Sequence, residues 1–290
     1  MMLQKAVITI NHRAIWFLLC LICSGCSVVK VMDVGSNIPY GILNSDDLET
    51  TKAGLPSYLL MLDGLLETYP ESKSLLMAAS SLNGAYAGVF VEDEVRARRM
   101  ANKAFNLAVR AMCVHNKKAC NPKSMSFSDF EDVIGEMRNQ KKDVPVLYSL
   151  GTAWAGYVQS NSSDWNVIAD LAKVSLLMEH IYELDMSYEN GMVPLYLGVL
   201  NSLLPPALGG KPEIAKTYFE QGIELSQGQN LMIKVLYAEK YAKLTFNRQL
   251  HDKLLNEVLN TTPHVHGLTL QNVFAQKEAQ RLLEQADEYF

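Results

Sequence analysis

Few residues in this chain have both the type and the spacing that chemistry needs. Cys113 and Cys120 stand in the run CVHNKKAC, with six residues between them. In an oxidising compartment such a pair closes a short disulfide loop. The alternatives are two free thiols, or a weak metal pair completed by His115. No second ligand pair lies nearby in sequence, so no metal site is expected. His264 and His266 sit two apart beside Pro263. That spacing suits a metal on a strand, but the surroundings predict a surface loop between helices. Glu92, Asp93 and Glu94 form a carboxylate group. Acids at the start of a helix interact with its N-terminal dipole, which is the plainer reading than acid–base work. Gly209-Gly210-Lys211 has the look of a phosphate loop without its spacing or the Ser/Thr that follows. It reads as a turn ahead of a helix led by Pro212. HExxH, GxSxG and the P-loop are absent from the sequence. No catalytic residue and no cofactor is expected, and the chain is not read as an enzyme.

Composition narrows the classes further. Of 290 residues, 49% are hydrophobic and 20% charged, and the formal charge is −5. These values exclude a disordered tail and a polytopic membrane protein. With 31 acids against 26 bases and no block of five or more like charges, nucleic acid is not an expected partner.

The first residues read as an address. Residues 1–26 carry Lys5 and Arg13, no acid, and an apolar run at 14–22. The run is too short to span a bilayer but suits the core of a signal peptide. Ser24, Gly25 and Cys26 follow, as in a bacterial lipoprotein signal cleaved before an acylated cysteine. A plain secretory signal cleaved nearby is the alternative. Residues 1–25 are therefore assigned to the signal and Cys26 to lipid attachment. Losing Lys5 and Arg13 leaves the mature chain two units more negative. Ser27 supplies no acidic retention signal, which points to the outer membrane of a Gram-negative cell. Residues 26–44 show no helical period and read as a lipid-anchored tether.

From residue 45 to 290 the apolar spacing is helical throughout. Leu59, Leu62, Leu65 and Leu66 form one stripe, and Leu75, Ala79, Leu82, Tyr86 and Phe90 the next. Ala97, Ala101, Ala104, Ala108 and Ala111 line a third helix closely enough for tight packing. A short helix is expected over 129–140, capped by Ser126 or Ser128. Others are expected over 144–158, 164–184, 191–204, 212–225, 231–244, 248–259 and 268–289. The fold class is all-α, a single helical domain. Its hairpins look like cryptic, degenerate tetratricopeptide (TPR) units in a solenoid, with a C-terminal packing helix. Leu150, Gly151 and Trp154 fit a first helix of one unit. Leu197 and Gly198 fit another, with Ala215, Phe219 and Gly222 in its second helix. The spacing exceeds the repeat by loops at 159–165 and 205–211, and solenoid insertions often serve binding.

One stretch carries a resemblance. Ser187-Tyr188-Glu189-Asn190-Gly191 is followed by Leu204-Pro205-Pro206-Ala207-Leu208-Gly209-Gly210, then Pro212-Glu213 and Ala215. With Phe90-Val91-Glu92-Asp93, Leu150-Gly151, Trp154 and the C-terminal Leu268, Asn272, Ala275, Ala279 and Leu282, it resembles the T-component lipoproteins of tripartite ATP-independent periplasmic (TRAP) transporters over residues 53–290. Met186 stands where that family commonly has Pro. The resemblance implies an all-helical TPR-like lipoprotein without enzymatic activity. It implies homo-oligomers, as trimers, and docking of a periplasmic substrate-binding protein, the P component. Through that protein it implies the membrane permease subunits, and a small hydrophobic or anionic ligand that is bound or channelled. A generic TPR scaffold for envelope assembly is the competing function.

The expected binding surface is the concave side of the solenoid. Tyr86, Tyr148, Trp154 and Tyr196 are expected there, with Tyr237 alongside. Leu203, Pro205, Pro206 and Leu208 would rim it, and Asn190 would cap a helix or offer a hydrogen bond. Ordinary core packing is the competing role for the aromatics. Changing Cys26 to Ser is expected to move the protein from the membrane fraction to the soluble periplasm, because two acyl chains are what hold it. Unchanged membrane association of the Ser variant overturns the anchor.

Overall fold

A computed structural model of the protein describes residues 40–290. The signal, Cys26 and the tether up to residue 39 lie outside the described residues. Only the end of the tether is seen, where the Asn44 carboxamide accepts a hydrogen bond from the Gly267 N–H at 2.6 Å. Residues 43–290 form one compact unit.

The unit is helical along its length, and among the described residues there is no strand. Helix α1 spans Leu48–Thr68, α2 Lys73–Phe90 and α3 Glu94–His115; α4 spans Phe127–Gly135, α5 Gln140–Ser160 and α6 Trp165–Ile168. Then come α7 (Leu171–Asp185), α8 (Tyr188–Asn201), α9 (Pro212–Leu225) and α10 (Leu231–Leu236). The last are α11 (Arg248–Leu259), α12 (Thr269–Glu284) and α13 (Ala286–Tyr289). Long neighbours in sequence pack on each other: α1 on α2, α2 on α3, α3 on α5, α5 on α7, α8 on α9. Stacked hairpins give this pattern. The C-terminal helix α12 also touches α1, so the first and last long helices of this unit meet.

Several helix limits differ from the sequence reading, each for a local reason. The short helix after the cysteines runs over Phe127–Gly135 rather than 129–140, because Ser126 caps it and Asn139 caps the next. Helix α5 therefore begins at Gln140, four residues early, with Lys142 N–H donating to the Asn139 side chain at 3.0 Å. The run expected over 164–184 is two helices, α6 and α7, meeting at Asp170. Tyr237–Ala242 winds as a π-helix in the expected 231–244 helix. Asp93 caps α3 by accepting from Arg96 N–H at 2.7 Å, the role expected of the acidic cluster.

Two apolar cores share one helix. The first gathers Phe105, Phe130, Leu147, Leu150, Trp154, Leu177, Val193 and Leu197. The second gathers Leu195, Phe219, Leu231, Tyr237, Leu255, Ala275 and Leu282. Helix α8 thus feeds both, Val193 and Leu197 one way and Leu195 the other.

A buried cation ties the first core to the cysteine loop. The Lys173 ammonium donates to the carbonyls of Pro122, Lys123 and Met125 at 3.1, 3.0 and 2.6 Å. It also lies 5.9 Å from the Phe130 ring centre and 6.0 Å from that of Trp154. Three carbonyls and two ring faces replace the water that the charge gave up. Cys113 and Cys120 are joined as a disulfide, with Cα atoms 4.2 Å apart. His115, between them, is held elsewhere. Lys73 donates to its Nδ1 at 3.0 Å, and its Nε2–H donates to Asp143 at 2.7 Å. Replacing both cysteines by Ser is expected to lower stability by about 2–3 kcal/mol, since a short covalent loop removes disorder from the unfolded chain. Urea unfolding measures it. Thiol labelling of the denatured, unreduced protein that finds both thiols free overturns the pairing.

Candidate functional site

The expected aromatic surface divides into separate places. Trp154 on α5 is wholly buried. Its ring packs edge-on against Phe130 at 5.6 Å and at a tilt of 39° against Phe105 at 5.3 Å. Its indole N–H donates to the Asp170 carboxylate at 3.2 Å. Tyr86 on α2 is also buried, beside Phe90 at 5.6 Å, and its hydroxyl donates to the Lys52 carbonyl at 3.2 Å. Tyr237 stacks on Phe219 at 4.9 Å in the second core. Each of these three rings has its packing or polar partners inside the protein.

Tyr148 and Tyr196 are brought together. Tyr148 on α5 and Tyr196 on α8 lie with ring centres 6.2 Å apart and planes at 86°. Tyr188, at the first residue of α8, completes the group at 5.1 Å from Tyr148 and 66°. None of the three was closed off by folding, for all are half-buried. Among the described residues nothing bonds to their hydroxyls. Yet they sit deep enough for desolvation to act. Burial pushes the Tyr188 and Tyr196 hydroxyls up to about 12. It lifts Tyr148 well above its ordinary value, helped by Tyr196 and Glu189. The three rings pack edge to face on one another where α8 meets α5.

A break in α8 builds this group. Glu189 and Asn190 both hold φ 53° and ψ 47°, and Gly191 holds φ 81°. Side chains other than Gly rarely take this left-handed conformation, and it costs of order 1 kcal/mol or more at each. Gly191 is required on a second ground: a Cβ there would lie 2.6 Å from the carbonyl oxygen of Gly222 on α9. Regular helix resumes only beyond Gly191, at the start expected from sequence. Pro194 falls in that first turn, where its missing N–H costs nothing. Asn190 is exposed and its carbonyl accepts from the Asn230 side chain at 3.4 Å. No side-chain cap of α8 forms. Glu189 is exposed, and the neighbouring atoms still raise its carboxyl above the usual range by partial desolvation. Among the described residues no Lys or Arg pairs with it.

The expected rim is a separate, exposed turn. Leu203 is 43% exposed and Leu204 46%. Pro205 and Pro206 are exposed and lead a single 3-10 turn, Pro206–Leu208. Gly210 N–H returns to the Pro205 carbonyl at 3.1 Å, and Lys211 N–H to that of Asn201 at 2.9 Å. A Cβ at Gly210 would overlap the Leu204 carbonyl, so the Gly-Gly pair serves the turn. Sequence reading missed Tyr188 and Glu189; the signal available was the Tyr-Glu-Asn-Gly run ahead of a helix. It also missed a groove of about 540 Å³ between α1 and α3, lined by Asp63, Glu67, Arg99, Asn102, Lys103 and Arg110.

The shifted hydroxyls set an alkaline limit. An unfolded tyrosine ionises near pH 10, and folded Tyr196 near 12. Between those values the unfolded chain gives up a proton that the folded one keeps. The stability involved is whole below about pH 10 and is lost as pH rises to about 12. Tyr196→Phe is expected to gain about 1 kcal/mol on the parent between pH 7 and pH 11. Urea midpoints at both pH values measure it. An equal difference at the two pH values places the hydroxyl in ordinary solvent.

With this geometry in hand, comparison with known proteins is informative. A family model described as TRAP transporter T-component matches residues 44–290. An uncharacterized protein of Treponema pallidum (strain Nichols) is 25% identical over 315 aligned residues, covering 94% of this chain and 96% of its own length.

Proposed function

This chain belongs to the TRAP transporter T-component family, and on that premise we propose that it is a periplasm-facing lipoprotein that docks the transporter's substrate-binding protein and receives a small ligand. Membership associates it with a transport system, not with a family of enzymes. In this reading Cys26 is acylated and anchors the chain to the outer membrane of a Gram-negative cell. The helical body projects into the periplasm and works as a homo-oligomer, a trimer. The substrate-binding protein docks on it, and the membrane permease is reached through that protein.

The observation that carries the reading is the extent of the family match. Residues 44–290 take in both the open tyrosine group and the exposed Leu203–Pro206 stretch. Two features of the geometry support the two halves of the role. The Tyr148, Tyr188 and Tyr196 hydroxyls lack partners inside the protein, as groups awaiting a ligand do. Leu203 and Leu204 project from a turn stiffened by two prolines, which lowers the entropy lost on docking.

Immobilised protein is expected to retain the substrate-binding protein of its own transporter. Leu203→Asp with Leu204→Asp should weaken that retention at least tenfold while the helical circular-dichroism signal stays unchanged. A substrate-binding protein that passes the immobilised parent unretained overturns the docking role.

A further inference from the structure

We propose that the outward face of α1 is the surface through which copies of this chain meet. The inference deepens the homo-oligomer part of the function proposed above and rests on it.

The first observation is where α1 keeps its charges. Inward, the helix packs on α2 and touches α12. At about 100° per residue its charged side chains, Glu49, Lys52, Asp63 and Glu67, all fall within an arc of about 60°. That flank is engaged within the protein: Lys52 lies 3.7 Å from Glu92, Asp63 accepts from Lys103, and Glu67 lines the groove against α3. The outward arc, about 140° wide, carries no charge. On it Leu60 is 72% exposed, Met61 47% and Leu65 37%. A helix at the end of a stack needs a polar outer face if nothing covers it, and α1 presents an apolar one.

The second observation is a pair of glycines. Gly54 and Gly64 sit inside α1, where Gly is the least favoured residue after Pro. Neither serves the fold of its own chain: a Cβ at either would meet nothing within 4 Å, and neither has a positive φ. Their smallness is turned outward. Ala53, Ser57 and Gly64 run down the middle of the charge-free arc, all exposed, with Leu60 on one side and Met61 and Leu65 on the other. A seam of small residues between apolar ridges lets a second helix approach closely. Because ridge and seam share one face, that face complements itself.

The charge pattern favours a copy over other occupants. A partner with an ordinary charged surface would bury its charges against a face that pairs none of them. A lipid surface is met by bases flanking an apolar face, and here Asp63 and Glu67 stand on the flank. A second copy brings the same charge-free arc. That arc is wider than the seam of a two-stranded pair, so it can meet two neighbours at once. Three copies about an axis satisfy this with every Leu48 end on one side, as chains anchored in one membrane require.

Disulfide trapping on the intact, membrane-bound protein tests the face. Ser57→Cys is expected to give a covalent dimer on oxidation with copper phenanthroline, and Gln249→Cys, exposed on α11, is not. Adding Gly64→Leu should cut the Ser57→Cys dimer roughly tenfold by filling the seam. It should not lower the thermal midpoint, because Leu suits a helix better than Gly. Leu60→Glu should cut the dimer similarly, with the circular-dichroism signal unchanged. A Ser57→Cys yield no greater than that of Gln249→Cys overturns the proposal, as does a yield that Gly64→Leu and Leu60→Glu both leave intact. Retention of the substrate-binding protein, measured on the same preparations, separates the two readings. If retention persists while Ser57→Cys gives no dimer, the docking role stands and the face fails. If the dimer forms without retention, the docking role fails and the face stands. If no dimer is trapped and Leu60→Glu abolishes retention, the face belongs to the substrate-binding protein and the proposal is overturned.

Discussion

The contact between Gly191 and Gly222 is the constraint on which the candidate site and the division of the core depend. A Cβ at 191 would stand 2.6 Å from the Gly222 carbonyl oxygen, so the two backbones touch where side chains would otherwise intervene. Seven residues later α8 lies against α9 again, where a Cβ at Gly198 would be 3.1 Å from the Phe219 ring. Fixed at two points on α9, α8 cannot roll. Val193 and Leu197 must then serve one core and Leu195 the other. Tyr196, the neighbour of both, is turned toward Tyr148 on α5. The backbone break at Glu189 and Asn190 is tolerated because the packing on both sides determines it.

Buried polar groups hold the rest in register. Lys173 fastens the loop that follows the disulfide to α7 by three carbonyls, and Asp170 at the start of that helix accepts the Trp154 indole. Asn272 on α12 does similar work at the other end: it accepts from Leu231 N–H and donates to the carbonyls of Gln229 and Pro263. Each group is desolvated but satisfied, and an unsatisfied one would cost about 1–3 kcal/mol. These links also explain why Trp154 and Tyr148, on one helix, differ so much. Trp154 faces the α4 and α7 side, where its indole N–H is held by Asp170 and the Lys173 ammonium by three carbonyls. Tyr148, six residues earlier, faces α8, where the tyrosine hydroxyls are not.

The contrast between satisfied and unsatisfied groups is what singles out a site in a protein otherwise built for packing. The buried side-chain polar atoms without a partner among the described residues are Ser149 Oγ and His251 Nε2. Each is isolated. At the tyrosine group, by comparison, three hydroxyls and a carboxylate converge, with accessible surface retained.

Much of this was legible in the sequence because it is local. The apolar period fixed an all-α body, the Ala stripe marked α3 as a close-packing helix, and Asp93 and Ser126 announced helix starts. Gly198 and Phe219 were expected in one pair of helices, and the Phe219 ring does lie against Gly198. Helix interruptions were less legible: Asp170 and the π turn at Tyr237 lie within continuous apolar periods, and only packing decides whether a helix runs through. The aromatic surface was legible only in part. Composition and spacing put Tyr86, Tyr148, Trp154 and Tyr196 on the first helices of their units, but spacing along a helix does not say which neighbour each ring meets. The meeting of Tyr148 with Tyr196, and their joining by Tyr188 and Glu189, followed from left-handed dihedrals at two residues and a backbone contact between glycines distant in sequence. Periodicity reports one chain segment against an apolar environment; convergence of four groups from two helices is set by the angles and distances between segments, which tertiary packing alone determines.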